Sequence, residues 1–411
     1  MDADKTRVYL ERSKASPINL WIDAKDSPSL RGALLQVVPH AIDRLKSLSI
    51  KVAINVTLDD LQYFFTHLSR SVPLLEYLLV DGSCECMPGY NPVLTTALFN
   101  GDLSSLRVLH LRSVRTDLLW RNMVNLTSLA LAHTLPGDIT VGKLLEFFES
   151  APRLRDIFLL HATPTSSAQN GRLVSLACLK NMEIVGYEPS SLLLDHLVLP
   201  VGAELTTRIL SHPLLVESHL PESLGGLKNL SNFTEIDIRL DESNQRIGFM
   251  GPNGGFSMVT LGLWPPNLVQ VALQSLTRFD TSKTERMGVF CTSPPPRGTT
   301  YRALLPMGNL RSLTISRPES HYVFVTTLDP SLNSSGVMVC PKLEELVLSC
   351  PGDASWGCDV ERVIAMAGAR ASRGTKLKSV VIIGRDNLTP VEERELRTHV
   401  LRLVCEGQRR Q

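Results

Sequence analysis

One short phrase recurs along the chain and limits what it can fold into more than any other feature. It reads apolar residue, two others, apolar residue, one other, apolar residue. Clean copies stand at Leu45–Ile50, Leu75–Val80, Leu106–Leu111, Leu126–Leu131 and Leu154–Leu159. Looser ones follow at Leu179–Ile184, Leu194–Leu199 and Phe233–Ile238, and the form recurs at Leu310–Ile315, Leu343–Leu348 and Leu377–Ile382. Its last two apolar positions lie two residues apart, so they point to one face of a short strand, and the first turns into the same core at the strand's entry. No single copy can bury that face alone. Stacked copies bury one another, and parallel strands then line up along one side. This is the L-x-x-L-x-L phrase of leucine-rich repeats, and 67 leucines in 411 residues supply it.

Between the phrases, several segments carry helical spacing. Thr57-Leu-Asp-Asp60 resembles a capping box with Asp in the Glu/Gln place, and it leads into Leu61, Phe64, Phe65 and Leu68. Thr140 leads into Leu144, Leu145, Phe147 and Phe148, and a third helix is expected from Val360 to Ala371, ended by Gly374. Thr389-Pro390 opens a fourth, with Leu396, Val400, Leu401 and Val404 directed inward. Strand and helix in alternation predict an α/β protein. The expected form is an irregular leucine-rich-repeat solenoid, a horseshoe with a parallel concave sheet and helices on the convex side. Residues 1–411 read as one such solenoid. Residues 241–306 fit worst: Gly251-Pro-Asn-Gly-Gly255, Trp264-Pro-Pro266 and Pro294-Pro-Pro296 predict a loop-rich insertion, with a strand near Leu268–Leu273. The polar run Thr163–Gly171 reads as a surface loop.

Composition narrows the classes of function. Apolar residues make up 43% and charged residues 20%, which describes a globular chain. Lys+Arg 42 against Asp+Glu 41 leaves a formal charge of +1, so no excess of cations is available for nucleic acid or for an anionic membrane surface. No apolar run is long enough to span a bilayer, and the N-terminus has no signal-peptide core. The eight cysteines are scattered without a C-x-x-C pair and read as reduced thiols. A cytoplasmic and/or nuclear protein is expected.

The run Val8-Tyr-Leu-Glu-Arg-Ser-Lys-Ala-Ser-Pro-Ile-Asn-Leu-Trp-Ile22 resembles the segment that opens the leucine-rich part of fungal F-box proteins of the mushroom-type basidiomycetes. Pro39–Ile50 and Ser71–Leu78 are similar to that family's first repeats, and the likeness covers about the first third of the chain. In bottom-up terms, Leu10–Ser13 ends a helix and Pro17–Ile22 is a first strand. The resemblance implies the substrate-recognition part of a Skp–cullin–F-box ubiquitin ligase. The F-box would lie upstream of Tyr9, where this sequence has eight residues, so the leucine-rich part alone is expected here. A Skp-type adaptor is then implied as partner only if an F-box lies upstream. The alternative is a ligase-independent scaffold or regulatory binding protein.

Motifs of catalysis are not found: there is no G-x-S-x-G, no phosphate loop, no H-E-x-x-H and no G-x-G-x-x-G after a strand. Gly251–Phe256 is glycine-rich but lacks the Lys and following helix of a phosphate cradle, and reads as a loop. Cys84-Glu-Cys86 has no partner pair at metal spacing, and Cys340, Cys350 and Cys358 read as strand-end thiols, so no metal and no cofactor are expected. His110, His133 and His161 fall at or just after three consecutive strands. Only His110 occupies an exposed phrase position, and the three read as ordinary strand-end residues. The third and fifth positions of each phrase, with the residue past the strand, face the concave surface. They nominate Lys51, Tyr77, Asp81, His110, Arg112, Asp156, Phe158 and Glu345 for a protein partner.

Overall fold

The computed structural model describes residues 3–82, 93–94, 98–101, 103–116, 123–133, 140–162, 172–187, 189–210, 224–230, 232–240, 245–252, 254–260, 268–333, 336–349, 360–384 and 388–406. Cys84, Cys86, Cys350, Cys358, the run Thr163–Gly171 and Trp264–Pro266 lie outside them. The chain divides into two compact units, Met1–Ala203 with Pro221–Gly226, and Glu204–Leu220 with Leu227–Gln411.

The first unit runs α1 (Ala3–Arg12), β1 (Ile18–Asp26), α2 (Ser27–Gln36), α3 (Val38–Ala41), β2 (Leu45–Asn55), α4 (Leu58–His67), β3 (Tyr77–Asp81) and β4 (Val93–Leu94). It continues through β5 (Val108–Arg112), β6 (Arg115–Thr116), β7 (Ser128–Ala132), α5 (Val141–Ser150) and β8 (Asp156–Leu160), and then β9 (Val174–Ser175), β10 (Asn181–Gly186), α6 (Ser191–Leu194) and β11 (Leu197–Val198). Its sheet has the order β1-β2-β3-β5-β7-β8-β10, and every neighbouring pair is parallel.

The phrase explains this register. Leu48, Leu78, Leu109, Leu129, Ile157 and Met182 are successive partners across the sheet, as are Ile50, Val80, Leu111, Leu131, Leu159 and Ile184, and all are buried. Each fully buried side chain of this size contributes about 1.5–3 kcal/mol over its exposed state. The leading leucine closes a turn: Leu75, Leu106, Leu126, Leu154 and Leu179 each donate their backbone N–H to the carbonyl three residues earlier, on Val72, Leu103, Met123, Ala151 and Leu176. The five residues whose carbonyls accept these bonds are buried too. The repeat therefore has a fourth core position, three residues before the phrase. Leu194–Leu199 departs from the pattern: Leu194 ends α6, and Leu197-Val198 form the two-residue β11, which pairs with β9 and not with the main strands.

The second unit runs β12 (Glu204–Ile209), β13 (Glu235–Leu240), β14 (Gln245–Gly251), β15 (Gly254–Thr260), α7 (Leu268–Leu276), β16 (Arg286–Cys291), α8 (Arg297–Leu304) and β17 (Ser312–Ser316). It ends with α9 (Pro318–Leu328), β18 (Glu345–Ser349), α10 (Val360–Ser372), β19 (Ser379–Ile383), α11 (Pro390–His399) and β20 (Arg402–Glu406). The strand order is β12-β15-β14-β13-β16-β17-β18-β19-β20. All pairs are parallel except β15–β14 and β14–β13, which are antiparallel. Each unit is thus α/β with a mostly parallel sheet, helices against its buried face, and the other face open.

The stretch 241–306 holds more regular structure than its composition predicts: two strands of a hairpin, α7, β16 and α8. Leu268–Leu273 is helix and not strand, because Val269, Ala272, Leu273 and Leu276 recur at helical spacing and are buried together. Within the Gly251–Phe256 run, Gly251 ends β14 and pairs with Gly254, which with Gly255 and Phe256 opens β15. The terminal helix ends at His399: Val400 is buried, Leu401 is 70% exposed, and Arg402–Glu406 pairs as a strand beside β19. The other helices stand where their spacing puts them, with Thr57, Thr140 and Thr389 as N-caps. No described helix is long and apolar enough to cross a membrane.

Candidate functional site on the open face of the first unit

The alternation that buries one face of each strand presents the other. Parallel register then lines the presented residues into rows across the first unit's sheet. One row runs Asp23, Lys51, Asp81, Arg112, so charge alternates in sign from strand to strand. Arg112 Nε stands 4.0 Å from Asp81 Oδ1. A second row runs Trp21, Ser49, Leu79, His110, Ala130, Phe158, Glu183, and a third carries Ser47, Tyr77, Val108, Ser128, Asp156, Asn181. Tyr77 meets His110 edge-on at 5.8 Å, and Asn181 Nδ2 donates to Asp156 Oδ1 at 2.6 Å.

Seven of the eight nominated residues, Lys51, Tyr77, Asp81, His110, Arg112, Asp156 and Phe158, therefore share this face. Glu345 lies on β18 in the second unit, where it accepts a hydrogen bond from Ser312 Oγ at 2.7 Å. Two members of the rows are not reached from the phrase: Trp21, which is 70% exposed, and Asp23. The first strand is expected over Pro17–Ile22, but Pro17 stands where the other copies have an apolar lead, so no phrase copy numbers its presented positions. The alternation of buried Leu20, Ile22 and Ala24 is the signal that would have placed Trp21 and Asp23 on the presented face.

A further ladder stands where the strands end. Ser113, His133 and His161 each follow a strand directly, with φ of 52°, 54° and 49°. That left-handed turn lets each residue donate its N–H into the next strand's carbonyl, Ser113 to Ala132, His133 to Leu160 and His161 to Val185. It also stacks the side chains: His133 and His161 lie 5.0 Å apart at 29°, and His161 and Tyr187 5.0 Å apart at 31°. The pairing of His133 with His161 is thus real, and His110 stands apart from it, against Tyr77.

All three imidazoles are held toward the neutral form. Partial burial lowers the pKa of His110 and of His161. His133 is lowered first by the desolvation its neighbours impose, then by His161 and Arg112, with Asp81 opposing. Neutral imidazoles offer one donor and one acceptor each and a flat ring for contact. Among the described residues no group of three His, Cys, Asp or Glu stands close enough to hold a metal ion. The face presents flat rings, an ordered row of alternating charge, and hydrogen-bonding groups on a backbone fixed by parallel pairing. No protein family matches the sequence, and no curated protein matches it either.

Proposed function

We propose that the chain is a non-catalytic protein-binding scaffold of leucine-rich-repeat type, whose concave surface is the open sheet face, with helices on the convex side. By its resemblance to fungal F-box proteins, the role is recognition of a substrate for a Skp–cullin–F-box ubiquitin ligase. One observation carries the reading: the aromatic side chains Trp21, Tyr77 and Phe158 share one face with the alternating charges Asp23, Lys51, Asp81 and Arg112. Exposed aromatics and arginine on a rigid support are what protein interfaces use as anchors, with charge order setting the register of the partner.

The test is affinity capture of the full chain from its native cells, followed by mass spectrometry. Skp-type adaptor and cullin subunits in the eluate, together with further proteins, support the ligase role. Reproducible capture of other proteins without adaptor or cullin supports a ligase-independent scaffold. Capture of nothing above a bait-free control contradicts the protein-binding function.

A further inference from the structure

The second position of each repeat phrase is neither core nor open face. It sits at the strand's entry, on the opposite end of the sheet from the histidine ladder. In the first unit this position holds Lys46, Glu76, Arg107, Thr127, Arg155 and Lys180. The carbonyls of Glu76, Arg107, Thr127 and Arg155 each accept two N–H groups from the following repeat, so the backbone here is fixed. A groove of ≈ 580 Å³ runs along this edge, from Pro73 and Leu74 at the β3 entry to Cys178 at the β10 entry.

Charge in the groove is one-sided. Arg107, Arg153 and Arg155 line it against a single carboxylate, Glu76, which already faces Lys46 at 3.7 Å. Arg153 is positioned by Asn125, whose Oδ1 accepts from Nη1 at 2.9 Å and whose Nδ2 donates to the Ser104 carbonyl at 2.8 Å. Among the described residues, neither Arg107 nor Arg155 has a carboxylate partner, and both side chains are exposed. Two strand steps separate them, roughly 10 Å between α-carbons, so two guanidiniums can close on one oxyanion over Thr127.

We propose that this groove binds an extended anionic peptide, with a carboxylate or phosphate group seated between Arg107 and Arg155. Length argues for a peptide. Four strand steps of about 4.8 Å span roughly 19 Å, which matches about six residues of extended chain. Leu74, 45% exposed at one end, offers an apolar contact. The lining holds no aromatic ring, so single-stranded nucleic acid would find no stacking platform. The site does not rest on the open-face reading: either surface can bind while the other is silent.

Fluorescence anisotropy of the full-length protein with short labelled peptides tests this. The set is a leucine-containing peptide with central Glu-Glu, its Gln-Gln counterpart, and a version with central phosphoserine. The acidic or phosphorylated peptide should bind about tenfold more tightly than the neutral one, and the tighter of the two names the anion. Arg107→Gln with Arg155→Gln should abolish that preference while leaving the melting temperature unchanged. A second readout uses the wild type alone: bound peptide should slow alkylation of Cys178 and leave Cys405 unaffected, both thiols being exposed. Equal affinity for acidic and neutral peptides, an unchanged preference in the double variant, or unprotected Cys178 would overturn the proposal. So would displacement of the peptide by a lower concentration of oligouridylate.

Discussion

At the scale of the residue, small differences in side-chain reach decide local structure. Thr389 and Glu392 form a full capping box: Glu392 N donates to Thr389 Oγ1 at 3.2 Å, and Glu392 Oε2 accepts from Thr389 N at 2.6 Å. Asp60 stands in the same place on α4 but is one methylene shorter. It accepts from the Thr57 hydroxyl at 2.6 Å instead, and the Thr57 N–H goes to Ser27 Oγ at 3.1 Å. Hydrogen bonds from Ser27, Thr57 and Arg31 hold the Asp60 carboxyl down at about 2. Arg370 shows the opposite economy: it is fully buried, and its guanidinium donates to the carbonyls of Val339 at 3.0 Å and Cys340 at 2.7 Å. Arg370→Met should cost roughly 3 kcal/mol in denaturant unfolding, because two charge-assisted bonds are lost and two carbonyls are stranded.

Three histidines, His110 on the open face and the stacked His133 and His161, make a prediction with a definite sign. His110, His133 and His161 have lower pKa values folded than the ordinary 6.5. The unfolded chain then binds protons more readily, so stability is full above about pH 6.5 and is lost as pH falls below it. Unfolding midpoints at neutral and mildly acidic pH should show this slope, and His133→Asn with His161→Asn should reduce it. Asn also tolerates the left-handed backbone at both positions, whereas His133→Val should destabilise the fold by about 1–2 kcal/mol.

At the scale of the element, what was legible in the sequence follows from which residues carry the signal. Strands β2, β3, β5, β7, β8, β10, β13, β17, β18 and β19 all grow from phrase copies, because three inward apolar side chains leave one register. Strand β16 was missed because its leading position is Thr284, which is fully buried all the same, and β20 because Val400-x-x-Leu403 looks like a continuing helix. The β14–β15 hairpin was missed because glycines hide a strand. A Cβ at Gly255 would stand 2.6 Å from the Phe249 carbonyl oxygen, so the close approach needs glycine. Gly255→Ala should therefore destabilise by about 1–3 kcal/mol in thermal or denaturant unfolding.

Thiol chemistry separates surface from interior at the same scale. Burial pushes the Cys291 thiol up to about 11 and the Cys340 thiol up to about 12. Cys178 and Cys405 are exposed. Alkylation of the native protein, read by peptide mass spectrometry, should modify Cys178 and Cys405 and reach Cys291 and Cys340 only after unfolding.

At the scale of the whole molecule, each of the two units repeats one device, a mostly parallel sheet that buries one face and offers the other. The sequence periodicity named seven of the residues offered on the first unit's face, since third and fifth positions alternate with the core. It did not name the entry position that carries Arg107 and Arg155, which is defined by the turn before the strand and not by the strand's alternation. Nor did it name the stacking of His133, His161 and Tyr187, which depends on left-handed turns at Ser113, His133 and His161 that no pattern of apolar residues encodes.

The measurement that bears most directly on the proposed binding face compares two baits in quantitative capture from native cells: the wild-type chain, and one carrying Trp21→Ala, Tyr77→Ala and Phe158→Ala. Circular dichroism and melting first show that both are folded. Loss of the wild type's reproducible partners by about tenfold or more is the expected result, because aromatic anchors carry most of the energy of such interfaces. The same partners at the same yield on both baits would contradict the account.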